Sequence, residues 1–87
     1  MFKITESAGV YFSQVLSRMK TAGFNCIRLL SQAGTLRLEI GNIKKMDKRY
    51  FYDGTIVLVM DEELSKTLAG RTLDVEVTEG GPRLRLI

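Results

Sequence analysis

The stretch from Tyr50 to Val77, YFYDGTIVLVMDEELSKTLAGRTLDVEV, constrains the chain most, because it specifies a hairpin, a helix and a further strand in unbroken succession. Asp53-Gly54 separates Tyr50-Phe51-Tyr52 from Thr55-Ile56-Val57-Leu58-Val59. A two-residue hairpin turn needs positive φ at both central positions, which Asp and Gly tolerate, so two strands are predicted to pair there. Asp61 closes the apolar run and precedes Glu62 and Glu63. Its side chain can accept from the orphan N–H groups of a helix starting at Glu62, whose positive end the acids complement. Leu64 and Leu68 give that short helix one apolar face, and Gly70 can adopt the left-handed conformation that ends it. Leu73, Val75 and Val77 then alternate with Asp74, Glu76 and Thr78, the period of a half-buried strand.

The rest of the chain supplies what this segment packs against. From Thr5 to Thr21, the residues Ala8, Tyr11, Phe12, Val15, Leu16 and Met19 recur at helical spacing and make one apolar face. Thr5 is placed as N-cap, Glu6 lies in the first turn, Arg18 and Lys20 in the last, and Gly23 as a left-handed stop. Cys26 to Ser31 and Thr35 to Ile40 read as paired antiparallel strands joined by Ser31-Gln32-Ala33-Gly34, with Ile27 and Leu29 facing the helix and Cys26, Arg28 and Leu30 facing away. Gly41 to Arg49 reads as a loop, Glu79-Gly80-Gly81-Pro82 as a turn, and Arg83 to Ile87 as a final strand. The fold class is therefore α+β, with mainly antiparallel strands, one long N-terminal helix and one short helix.

At 87 residues the chain is expected to form a single domain over residues 1–87, since a chain of this size cannot be divided into two cores. With one cysteine and no histidine, it cannot by itself build a Ser/His/Asp triad, a Cys/His pair, a His-based zinc site or an internal disulfide. No apolar run approaches the roughly 20 residues that cross a bilayer, and Met1-Phe2-Lys3-Ile4-Thr5-Glu6 lacks a signal-peptide layout. The expectation is a cytoplasmic protein with no membrane partner. The net charge of +3 is a mild bias towards acidic partners.

The ordered features Asp53-Gly54, Ile56, Val57-Leu58-Val59, Asp61, Ser65, Leu68, Gly70, Leu73-Asp74 and Glu76 resemble the pattern of the HesB/IscA family of A-type iron–sulfur carriers. The resemblance extends upstream through Ile4 to Ala8 and Ile27 to Leu29, and so covers most of the chain. It implies a HesB-like domain. It also implies where sulfur ligands would stand: one cysteine in a Gly-Cys-Ser-Gly-like turn after the first strand and two in a Cys-x-Cys-Gly tail, because iron in such clusters is held by soft thiolates. Here the turn is Ser31-Gln32-Ala33-Gly34, the sequence given runs to Ile87 without the tail motif, and Cys26 matches no family ligand.

Function then has to be weighed without those ligands. Cys26 is a candidate for residual cluster handling in a dimer, although two thiolates would meet only half of the usual ligand set; a small hydrophobe or inert surface thiol is the plainer reading. Asp61, Glu62 and Glu63 are better explained as a helix cap, Asp53 as a turn residue, and Asp74 with Glu76 as a solvated strand face. Lys44, Lys45, Lys48 and Arg49, with Tyr50 and Tyr52 beside them, are the candidate partner-binding residues, and the rings could stack on a single-stranded nucleic acid. The leading expectation is a non-enzymatic protein-interaction or scaffold module, without cofactor, linked to iron–sulfur cluster biogenesis through its family. Its partner is an unidentified protein or a second copy docked around Leu30, with nucleic-acid binding as the competing class.

Overall fold

The computed structural model describes residues 2–19 and 26–87. Gly23, expected to stop the first helix, lies outside them. Among the described residues the order is β1 (Lys3–Ile4), α1 (Glu6–Met19), β2 (Cys26–Gln32), β3 (Thr35–Gly41), β4 (Lys48–Tyr52), β5 (Thr55–Met60), α2 (Glu62–Thr67), β6 (Thr72–Thr78) and β7 (Gly81–Leu86). The fold is α+β, as the periodicities predict.

Local chemistry sets the element ends. Ala8 N–H donates to Thr5 Oγ1 at 3.1 Å, so Thr5 caps α1, and Leu64 N–H donates to Asp61 Oδ1 at 2.7 Å, so Asp61 caps α2. Asp53 and Gly54 have φ of 51° and 78°, the two positive values that a two-residue turn matching strand twist requires. Ala33 and Gly34 repeat this geometry at 52° and 78°, so the first hairpin also turns on two residues and each of its strands runs one residue further than the pattern suggested. The last hairpin turns at Glu79-Gly80, and Gly81 and Pro82 already pair with Thr78 and Val77. β1 was not legible in the sequence, because two residues show no period.

The strands form two sheets in the orders β1-β6-β7 and β3-β2-β5-β4. Neighbours pair antiparallel except at β1–β6 and β2–β5, which are parallel, so both sheets are mixed. Helix α1 packs against β6 of one sheet and against β5, β2 and β4 of the other, burying Ala8, Phe12 and Met19. α2 carries the chain from the second sheet to the first, with Leu64 and Leu68 buried. Phe2 also joins the sheets: it precedes β1, yet its ring meets Tyr50 of β4 edge-on at 5.1 Å between centroids. On β6, Leu73 and Val75 are buried, but Val77 is 71% exposed; the core ends before the strand does.

Two backbone details shape the inner surface. The β4–β5 register shifts between Tyr50 and Phe51, where Tyr50 pairs with Leu58 and Phe51 with Ile56. Val57 is thus the extra residue of a bulge, and both Val57 and Leu58 join the core. Gly9, in α1, lies against the ring of Tyr52, where an added Cβ would stand 2.2 Å from Cδ1 and 2.5 Å from Cγ. Gly9→Ala is therefore expected to destabilise the fold by about 1–3 kcal/mol, the usual cost of overpacking. Urea unfolding checks this, and the loss should shrink when Tyr52→Ala is combined with it.

Candidate functional site

The β2–β5 pairing creates a connection problem. β3 and β4 lie at opposite edges of the four-stranded sheet, yet they are consecutive in sequence. Residues 42–47 have to bridge three strand spacings, roughly 14 Å, which a chain of that length can cover only by crossing one face of the sheet. They cross the face turned away from α1.

Arg28 and Asp47 hold that strap down. Arg28, in mid-β2, donates from Nη1 to Asp47 Oδ1 at 2.7 Å and from Nη2 to Oδ2 at 2.5 Å, a bidentate arrangement that fixes direction as well as distance. Asp47 Oδ2 also accepts from Lys44 N–H at 2.6 Å, while Asp47 N–H donates to Lys44 O at 3.2 Å, folding the strap back on itself. The two side chains are only 11% and 4% exposed. Hydrogen bonding to Arg28 holds the Asp47 carboxyl below the usual carboxylate range, and the same bonds raise the Arg28 guanidinium further.

Beside this pair, Cys26 and Val59 are fully buried although both stand on the face away from α1. The Cys26 Sγ donates to Gly41 O at 3.2 Å, where the strap begins. Burial pushes the thiol pKa up; Arg28 pulls it partly back and Asp47 adds to the rise. Cys26 is thus a buried thiol, and the expectation of a surface thiol gives way to the hydrophobe reading. Neither Arg28 nor Asp47 was singled out from the sequence, since nothing local links two residues 19 apart across an edge-to-edge crossing.

The predicted interaction residues divide. Lys44 and Lys45 are exposed on the strap, whereas Lys48 and Arg49 belong to β4 and not to the loop, and strand alternation sends them to opposite faces. Among the described residues none of these cations forms an ion pair, because Asp47 is committed to Arg28. The two tyrosines are inner-face residues. Tyr50 Oη lies 2.6 Å from Ser65 Oγ with its ring on Phe2, and Tyr52 covers Gly9. Both rings are spent on packing, which removes the stacking platform imagined beside the cations. Leu30 is half-buried and shares a shallow groove with Leu64 and Thr67, so α2 supplies part of the cover that its outward position called for.

The acidic candidates are similarly accounted for. Asp61 caps α2, Glu62 reaches Lys66 at 3.7 Å, and Asp74 accepts from Thr5 Oγ1 at 2.6 Å. Asp74 is therefore half-buried and ties β6 to the α1 cap; the expected solvated face belongs to Glu76, which is 3.8 Å from Arg85. Among the described residues no three His, Cys, Asp or Glu side chains come together as a metal-holding group. No described helix is long and apolar enough to cross a membrane.

No protein-family profile matches the chain, and no curated protein matches it by sequence. Solved structures do. The crystal structure of Escherichia coli SufA, involved in biosynthesis of iron–sulfur clusters, is similar with a TM-score of 0.82 at 16% identity, over 99% of this chain and 83% of that one. The crystal structure of IscA with the 2Fe–2S cluster is similar with a TM-score of 0.58 at 19% identity, over 100% of this chain and 81% of that one. At these identities the likeness establishes the fold, which is that of the HesB/IscA-like proteins, as the sequence resemblance implied.

The strap generates two predictions. Truncating one partner, by Arg28→Leu or Asp47→Leu, should cost about 3–5 kcal/mol in urea unfolding, and the double variant should cost less than the sum, because the loss arises mainly from a stranded charge. A carboxylate with a lowered native pKa contributes fully above its unfolded value, near 4, and progressively less as pH falls through the native value. Wild type should therefore lose more stability than Asp47→Asn between about pH 5 and pH 2.

Proposed function

We propose that this chain, a HesB/IscA-like fold whose one thiol is buried, serves iron–sulfur cluster biogenesis as a non-enzymatic protein-interaction or scaffold module rather than as a carrier of the cluster. The observation that carries the reading is the state of Cys26: fully buried, donating to Gly41 O, and held protonated by its surroundings. Cluster iron is held by thiolates, usually four, and a buried neutral thiol on a latched face offers neither charge nor access. The end of β2 and the turn into β3, where the family resemblance would put a ligand, read Ser31-Gln32-Ala33-Gly34, exposed and without sulfur. The lack of histidine and the commitment of Asp47, Asp61, Glu62, Asp74 and Glu76 to caps, hydrogen bonds and ion pairs support the non-enzymatic part. A reducing, cytoplasmic setting accords with a single unpaired thiol.

A link to cluster biogenesis rests on the fold shared with SufA and IscA, and fold alone does not transfer function. Two measurements separate the parts of the proposal. Anaerobic reconstitution with ferrous iron and sulfide should leave wild type and Cys26→Ser equally free of iron; iron retained by wild type and lost in the variant would overturn the cluster-free reading. Titration of the purified chain with purified SufA, apo and cluster-loaded, should give saturable binding. No binding at roughly 100 μM, where a contact worth about 5–6 kcal/mol would register, would remove the link to biogenesis and leave the first result untouched.

A further inference from the structure

The three long free edges of the two sheets differ in how they are protected. β7 carries Pro82, which has no N–H to offer, and β4 is only five residues long and starts with the cations Lys48 and Arg49. β3 has neither device. It is a regular seven-residue strand without proline or bulge, and its unpaired side is the outer edge of its sheet. Among the described residues nothing pairs with that edge.

Hairpin geometry says which backbone groups the edge presents. A two-residue turn at Ala33-Gly34 closes with Thr35 N–H on Gln32 C=O, so the backbone of Thr35, and by alternation those of Arg37, Glu39 and Gly41, face β2. Leu36, Leu38 and Ile40 therefore point their N–H and C=O groups outward. Their side chains share the inner face, where Leu36 and Leu38 are half-buried and Ile40 is 47% exposed. Arg37 and Glu39 project from the other face, both exposed, and among the described residues Glu39 forms no ion pair.

We propose that β3 is a self-association edge, pairing antiparallel with β3 of a second copy about a two-fold axis through Leu38. The charges choose both occupant and register. Only outward-facing residues can share hydrogen bonds, so a two-fold pair must be centred on Arg37, Leu38 or Glu39 to bring several of them together. Centring on Arg37 sets it against the partner's Arg37, and centring on Glu39 sets it against the partner's Glu39; like charges directly opposite are unfavourable. Centring on Leu38 places Arg37 against the partner's Glu39 twice, in the non-hydrogen-bonded positions where side chains approach most closely. The same register puts Leu36 against the partner's Ile40, covering the exposed apolar position, and makes one continuous sheet from the two four-stranded sheets. An edge this self-complementary fits another copy better than an unrelated strand. The inference concerns the partner alone and stands whether or not the chain handles a cluster.

Sedimentation equilibrium of the full chain tests it. Wild type should be dimeric at high micromolar concentration. Arg37→Glu and Glu39→Arg should each weaken self-association by about tenfold or more, since each turns two attractions into two repulsions. Mixing the two variants should restore a heterodimer close to wild-type affinity, because every Glu then meets an Arg, and this recovery also shows that both variants are folded. A wild type that stays monomeric at millimolar concentration, or variants that associate as well alone as mixed, would overturn the proposal.

Discussion

The parallel pairing of β2 with β5 is the constraint from which the strapped face of the molecule follows. Once β5 lies beside β2, β3 and β4 are driven to opposite edges, and the short segment between them has no route except across the sheet. A strap laid over a sheet face buries whatever it covers, and here it covers a valine, a cysteine and an arginine. The valine and cysteine tolerate that burial unaided. The arginine does not, since an unpaired guanidinium under a strap would carry a desolvation penalty of several kcal/mol. Asp47, delivered by the strap itself, neutralises it with two aligned hydrogen bonds. The ion pair is thus as much a condition of the crossing as a reinforcement of it.

This arrangement also determines the chemistry available to the single thiol. A cysteine at the start of an outer-facing strand position would be a reactive or ligating group if it met solvent, because reactivity follows the thiolate. Under the strap it faces a carbonyl oxygen and low-dielectric surroundings, both of which favour S–H. Reactivity is therefore withheld by topology, through a contact between elements far apart in sequence, rather than by the residue type. The tyrosines show the same logic from the other side of the sheet: Tyr52 is drawn inward by the space that α1 leaves at Gly9, and Tyr50 by the Ser65 hydroxyl of α2.

Much of the architecture was legible in advance because its determinants are local. Asp53-Gly54 defines a turn by backbone sterics alone, Thr5 and Asp61 cap helices through side chains three residues from the N–H they satisfy, and the face from Ala8 to Met19 follows from helical repeat. Ala33 shows the limit of that approach. Its left-handed φ is not a residue preference, and it is imposed by two strands whose twist leaves the turn no alternative. Val77, Asp74 and the basic cluster were misplaced for a related reason: periodicity reports which face a residue occupies but not whether another element covers that face.

By itself the sequence determined the kinds of element, their capping and turn chemistry, the apolar stripes that form the core, and the absence of histidine and of a second cysteine. These depend on interactions spanning a few residues and on composition, both of which survive without a fold. Tertiary structure alone decided the strand order, the strap, the Arg28–Asp47 pair, the burial of Cys26 and the unguarded edge of β3. Each depends on which strands become neighbours, and that choice is made by the packing of the whole core, where no segment carries the answer.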